Sequence, residues 1–109
     1  MKTVALFAGV AVAAALSQAA HAQSAADGRQ IAAQRCQVCH GLDGIAVMPV
    51  APNLAGENAI YLQTQLKAFR SGARVNEMMT VIAKDLTDAD ITAVSAWYES
   101  ILVEATIPE

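Results

Sequence analysis

The sequence predicts an all-α domain. Two apolar stripes at helical spacing support it: Leu62, Leu66 and Phe69 recur at i, i+4 and i+7, and Ile91, Val94, Tyr98 and Ile101 form the second. Nothing alternates in the apolar–polar manner of a half-buried strand. Helix punctuation frames both stripes, with Gly72 just after the first and Thr87 just before the second.

In chain order, Ser24 to about Cys36 reads as a first helix. Ser24 can cap it, and Asp27 favours its positive end. Gly28 costs about 1 kcal/mol against alanine inside a helix. Close approach of another helix would explain it, as would tolerance of glycine near a frayed helix end. From Gly41 to Gly56 no helical period exists, and Gly41, Gly44, Pro49, Pro52 and Gly56 mark a loop. A second helix runs from about Glu57 to Ser71 and stops at Gly72. A short helical piece covers about Met78 to Lys84. Thr87 then caps a final helix, with Asp90 in place of the usual Glu of a capping box and Trp97 beside the buried stripe.

Residues 1–22 have a different character. Met1 and Lys2 give a short positive start, and Val4 to Leu16 is all apolar or small. Ala20, His21 and Ala22 supply a small-x-small cleavage pattern, so a signal peptide of residues 1–22 is expected to leave a mature domain of residues 23–109. The apolar run is shorter than the roughly 20 residues that a spanning helix needs. Export to a bacterial-type periplasm follows, with no membrane span in the mature form. That form has six Lys or Arg against ten Asp or Glu, a net charge of −4. An acidic small domain is a poor nucleic-acid binder, because phosphates demand a positive footprint. A chain this short has a marginal core of its own, and a large apolar cofactor would supply much of what is missing.

The chemistry is concentrated in Cys36-Gln37-Val38-Cys39-His40. Residues i and i+3 share a helix face, so both thiols can reach one porphyrin edge as thioethers. The next residue, His40, is then carried under the iron as proximal ligand. This is the spacing of c-type haem attachment. Structural zinc needs four ligands, and the chain holds only Cys36, Cys39, His21 and His40, of which His21 leaves with the signal peptide. A thioredoxin-like pair belongs in a βαβ unit, which is absent from the pattern. A disulfide across two residues would close almost no loop.

Beyond this motif the mature chain resembles class I c-type cytochromes, in particular the small bacterial c4 and c553 types. The likeness covers about residues 26–103. It runs from Gly28 through the Cys36–Gly41 motif, Asp43-Gly44, Pro52-Asn53-Leu54-Ala55-Gly56 and Tyr61-Leu62. It continues through Gln65-Leu66, Phe69-Arg70-Ser71-Gly72 and Met79 to Asp88, and closes on Trp97-Tyr98. The resemblance implies four to five helices around one covalently attached haem c, with the terminal helices crossing at Gly28 and Trp97/Tyr98. It also implies that the Pro52 carbonyl accepts the Nδ1 hydrogen of His40, fixing the imidazole tautomer.

A methionine opposite His40 would complete a low-spin iron with a raised potential. Of the candidates, Met48 lies too close behind His40, in the loop expected on the proximal side. The family pattern Met-x-x-Ile-x-x-x-Leu selects Met79, which shares a face with Ile82 and Leu86. Counting one residue further back selects Met78, a spacing also found in the c4 group. The other methionine then packs the pocket. Tyr61 and Gln65 are further pocket candidates. Arg29, Arg35, Lys67, Arg70 and Arg74 carry most of the positive charge, opposed by an acidic stretch from Asp85 to Glu109 that could orient a partner.

With His40 committed to iron, no histidine remains for acid–base work, and the reading is an electron-transfer protein rather than an enzyme. The expected role is a periplasmic single-electron carrier between a membrane donor complex and a terminal acceptor. The alternative is the cytochrome subunit of a periplasmic dehydrogenase, such as a sulfide-oxidising flavocytochrome. A third class, a gas- or peroxide-reactive haem protein, requires the methionine ligand to be missing.

Overall fold

The computed structural model describes residues 8–109, and every regular element among them is helical. Five helices follow one another: α1 spans Ala8–Arg35, α2 Gln37–His40, α3 Ala59–Ser71, α4 Met79–Lys84 and α5 Asp88–Glu99. Lys2 and Val4 to Phe7 of the expected signal segment lie outside the described residues. No helix among the described residues is long and apolar enough to cross a membrane.

The start of the first helix corrects the sequence reading. α1 is already helical at Ala8, so Ser24 sits inside it rather than capping it. Alanine dominates the residues upstream, and alanine is the best helix former, so nothing breaks the helix there. α3 begins two residues later than expected because Asn58 captures its first turn. The Asn58 backbone is extended, and its side chain accepts the Tyr61 N–H at 3.0 Å. Met78 stands just outside α4. The two punctuation signals behave as read. Gly72 closes α3 in the left-handed region at φ 85°, and Thr87 and Asp90 exchange the two bonds of a capping box at 3.1 and 2.9 Å.

The terminal helices α1 and α5 make the main helix–helix contact. A Cβ on Gly28 would overlap the Ala93 carbonyl and come within 2.9 Å of the Trp97 Cβ, so the backbones meet where only glycine fits. Ala32 of α1, Leu62 of α3, and Val94 and Tyr98 of α5 form the buried cluster, with Trp97 and Ile101 packed at its edge. Burying an aliphatic side chain such as Ile91 or Val94 contributes about 1.5–3 kcal/mol. Arg70 ties α3 to the start of α5: it donates to the Leu86 carbonyl at 2.9 Å and to Asp88 at 2.6 Å. The core is small for the chain, and that matters at the site.

Candidate functional site

Cys36, Cys39 and His40 occupy a single turn. The Cys36 carbonyl accepts the N–H groups of Cys39 and His40 at 3.2 and 3.0 Å, which sets the three side chains at helical spacing. Both cysteines are free and half-buried. Burial pushes the Cys36 thiol up to about 11, against the lowering influence of the Tyr98 hydroxyl and Arg35. Such a thiol stays protonated at neutral pH.

His40 is buried, at 8% exposure. Its Nδ1 lies 2.9 Å from the Pro52 carbonyl oxygen, twelve residues on. A carbonyl can only accept, so Nδ1 carries the proton and the lone pair is on Nε2. Nε2 makes no hydrogen bond to any described residue.

The loop holding Pro52 is closed at its base. The Gly44 carbonyl accepts from Leu54 and Ala55 N–H at 2.8 and 3.1 Å, and the Asn53 side chain accepts from Ala46 N–H at 2.7 Å. Gly44 has φ 73°, and a Cβ there would strike the Ala55 backbone. The α5 helix grips the same loop from the other end. The Trp97 indole donates to the Leu42 carbonyl, and the Tyr98 hydroxyl to the Gly41 carbonyl, both at 2.9 Å. The sequence suggested this aromatic pair for helix crossing, but not these bonds. Burial also raises the Tyr98 hydroxyl well above its ordinary range, so it remains a donor.

The three methionines fall in two places. Met48 stays beside the first motif, with its Sδ 3.3 Å from the Cys39 thiol and its N–H on the Cys39 carbonyl. Met78 and Met79 sit at the start of α4. Met78 is 56% exposed, whereas Met79 is half-buried on the face shared with Ile82 and the buried Leu86. Of the other pocket candidates, Tyr61 is exposed and the Gln65 amide oxygen accepts from Arg74 at 2.7 Å.

Among the described residues, no three His, Cys, Asp or Glu side chains gather as a metal site. The zinc alternative gains nothing from the structure. A shallow depression of about 820 Å³, lined by Arg29, Val38, Leu42, Trp97 and Ile101 among others, includes neither the thiols nor His40, Met78 or Met79.

A family model described as cytochrome c matches residues 25–101. The chain belongs to the cytochrome c family. Curated relatives agree. It is 43% identical over 68 residues to cytochrome c-554(548) of Halomonas halodenitrificans, covering 60% of this chain and 82% of that one. It is 42% identical over 86 residues to the thiosulfate dehydrogenase electron acceptor of Stutzerimonas stutzeri, covering 71% and 40%. A cytochrome c4 of Pseudomonas aeruginosa is 35% identical over 85 residues, covering 78% and 42%. The chain thus spans less than half of the latter two relatives.

Membership implies one covalent haem c, and the residues present fit that group. The motif offers two free thiols and an imidazole nitrogen with no partner among the described residues. The molecule also has little core, since the largest fully buried side chains among the described residues are Tyr98, Ile91 and Ser95. Tyr61 of α3, Met78 just before α4 and Val81 of α4 are exposed, and a flat apolar plate would bury such surface.

Proposed function

We propose that this chain is a periplasmic single-electron carrier with one haem c held by His/Met axial ligation. Cys36 and Cys39 would fasten the haem as thioethers, His40 would bind iron through Nε2, and Met79 would supply the opposite ligand, with Met78 as the alternative. When bound, the haem supplies reversible one-electron exchange between ferric and ferrous iron. The observation that carries this reading is His40: it is buried, its Nδ1–H is held by the Pro52 carbonyl, and its remaining lone pair has no partner among the described residues. That bond sets the tautomer and the ring orientation, and it raises the basicity of Nε2 toward a metal. A thioether opposite a histidine favours the ferrous state relative to a second nitrogen. With its imidazole so used, His40 has no proton to exchange with a substrate. An electron-transfer role without catalysis follows.

Export is part of the proposal. Gly28 and Ala32, the α1 residues buried against α5, lie beyond Ala22, so removal of residues 1–22 would leave that interface whole. It would also return Ser24 to the start of the shortened helix, where a serine caps well. Two relatives bear the name thiosulfate dehydrogenase electron acceptor. By analogy, the partners of this chain are redox proteins, with a periplasmic dehydrogenase as one class of donor.

The test is made on protein exported from cells able to attach haem c. The intact mass should equal residues 23–109 plus one haem, and the oxidised spectrum should show the weak long-wavelength band of a thioether on ferric iron. A mass equal to the polypeptide alone would overturn the assignment. Rapid carbon monoxide binding at neutral pH would instead indicate an open iron position. Size exclusion of native extract should find the chain travelling alone; travel with a larger catalytic chain would replace the carrier by the enzyme-subunit reading.

A further inference from the structure

On the His/Met reading, one of two adjacent methionines would complete the iron, and Asn76 binds the backbone of both. Its side-chain oxygen accepts the Met78 N–H at 3.0 Å and the Met79 N–H at 2.9 Å. Its own N–H donates to the Thr80 hydroxyl at 3.0 Å, and its carbonyl accepts the Thr80 N–H at 2.9 Å. Four bonds therefore join one residue to the three that follow Glu77.

Upstream, Arg74 is tied to α3 through the Ala68 carbonyl and Gln65. Outside the ladder of α4, the only bond to these two methionines besides those of Asn76 that is found among the described residues is the Ile82 N–H on the Met78 carbonyl. Residues 71–78 are all exposed, and α4 has six residues, too few to be stable on propensity alone. Without the Asn76 amide, the Met78 and Met79 N–H groups would turn to water, and the helix start could shift by a residue. Were α4 to slide in register with its start, each one-residue step would rotate side chains by about 100°, enough to exchange the half-buried methionine for the exposed one.

We propose that Asn76 is the positioning residue that selects Met79 over Met78 as the axial ligand and holds it on the iron. This rests on the His/Met reading above. The asparagine touches neither haem nor iron, and acts through the backbone of the two methionines.

The experiment uses the exported holoprotein. Asn76→Ala should weaken the long-wavelength thioether band at neutral pH. It should also speed carbon monoxide binding to the ferrous protein by roughly tenfold, in line with the usual loss of a capping side chain. Asn76→Asp keeps the accepting oxygen and should restore both. Thr80→Val removes only one bond and should give a smaller change of the same sign in a folded protein. A purely structural cap would lower the melting temperature in Asn76→Ala but leave the band and the carbon monoxide rate as in the parent, which overturns the proposal. Met79→Leu and Met78→Leu separate this from failure of the ligand reading. Loss of the band only in Met79→Leu supports the selection. Loss only in Met78→Leu, or in neither, overturns the Met79 assignment and the selection with it.

Discussion

The loop from Gly41 to Gly56 is fastened by residues far off in the sequence. Tyr98 reaches back 57 positions to the Gly41 carbonyl, Trp97 reaches 55 to Leu42, and the Tyr98 carbonyl accepts the Gly56 N–H at 2.9 Å. Over the segment from Gly72 to Met79, by contrast, the methionine N–H groups are held by Asn76, at most three residues away, and the Met78 carbonyl by the Ile82 N–H four residues on. The histidine side is set by tertiary structure and the methionine side by local structure. On the ligation proposed above, a site built this way should lose the methionine long before the histidine. Global stability should follow the first region and ligand exchange the second.

The sharpest way to break this contrast is at the helix crossing. Gly28→Val would drive a branched side chain into the Ala93 carbonyl, separating α5 from α1 and loosening the loop that α5 grips. A destabilisation of about 3 kcal/mol or more is expected by thermal unfolding, the upper end for overpacking because backbone cannot yield. An unchanged melting temperature would mean that the helices do not meet at this point.

Tyr98→Phe is the next largest. It removes one of two donors to the Gly41 carbonyl, leaving the longer 3.3 Å bond from the Gly44 N–H, and should cost about 1.5 kcal/mol. Melting temperature should fall while the thioether band stays intact. Asn76→Ala should show the reverse balance. If both variants changed stability and ligation in the same proportion, the two regions would be one cooperative unit.

Thr87→Ala removes one arm of the capping box and should cost about 1 kcal/mol in denaturant unfolding. Acid should act at the same helix start. Arg70 holds the Asp88 carboxyl below its ordinary value of 3.8, and hydrogen bonds from Thr87 do the same for Asp90. Both folded-state values are depressed, so their contribution is complete above 3.8 and disappears as pH falls through the lower folded values. Asp90→Asn should flatten the acid limb of a stability–pH curve; an unaltered limb would show that the box bears no charge-dependent load. Asp88 is exposed and Asp90 only half-covered, so the effect is small.

Much of this was legible in the sequence, for physical reasons. Gly72, Thr87 and Asp90 act within their own turns, so local spelling reports them. Gly28 was readable because a glycine inside a helix demands a reason, and close backbone approach supplies one. The thiol–thiol–imidazole spacing is equally local, whereas the bond from His40 to Pro52 was expected only from the family resemblance. Helix starts were harder. Ser24 looked like a cap, but the alanine-rich stretch before it continues the helix, and Asn58 was passed over for Glu57 although asparagine is the better cap. The bonds from Trp97 and Tyr98 leave no mark in periodicity, because an indole or phenol serves the core equally well without them. The Asn76 amide could have been suspected from an asparagine three residues before a short helix's first residue.

The double bond-acceptor role of the Gly44 carbonyl has a consequence for how freely this chain can vary. Crimped there, residues 45–53 form an omega-like excursion whose outer edge hangs in solvent; Val50, at its tip, is 83% exposed. Lengthening or rewriting that tip should leave the proline at its foot in register. Val50→Ser is expected to change melting by less than about 0.5 kcal/mol. The same edge is therefore a natural attachment point for a spectroscopic label or tether, and a stretch where related chains have room to diverge.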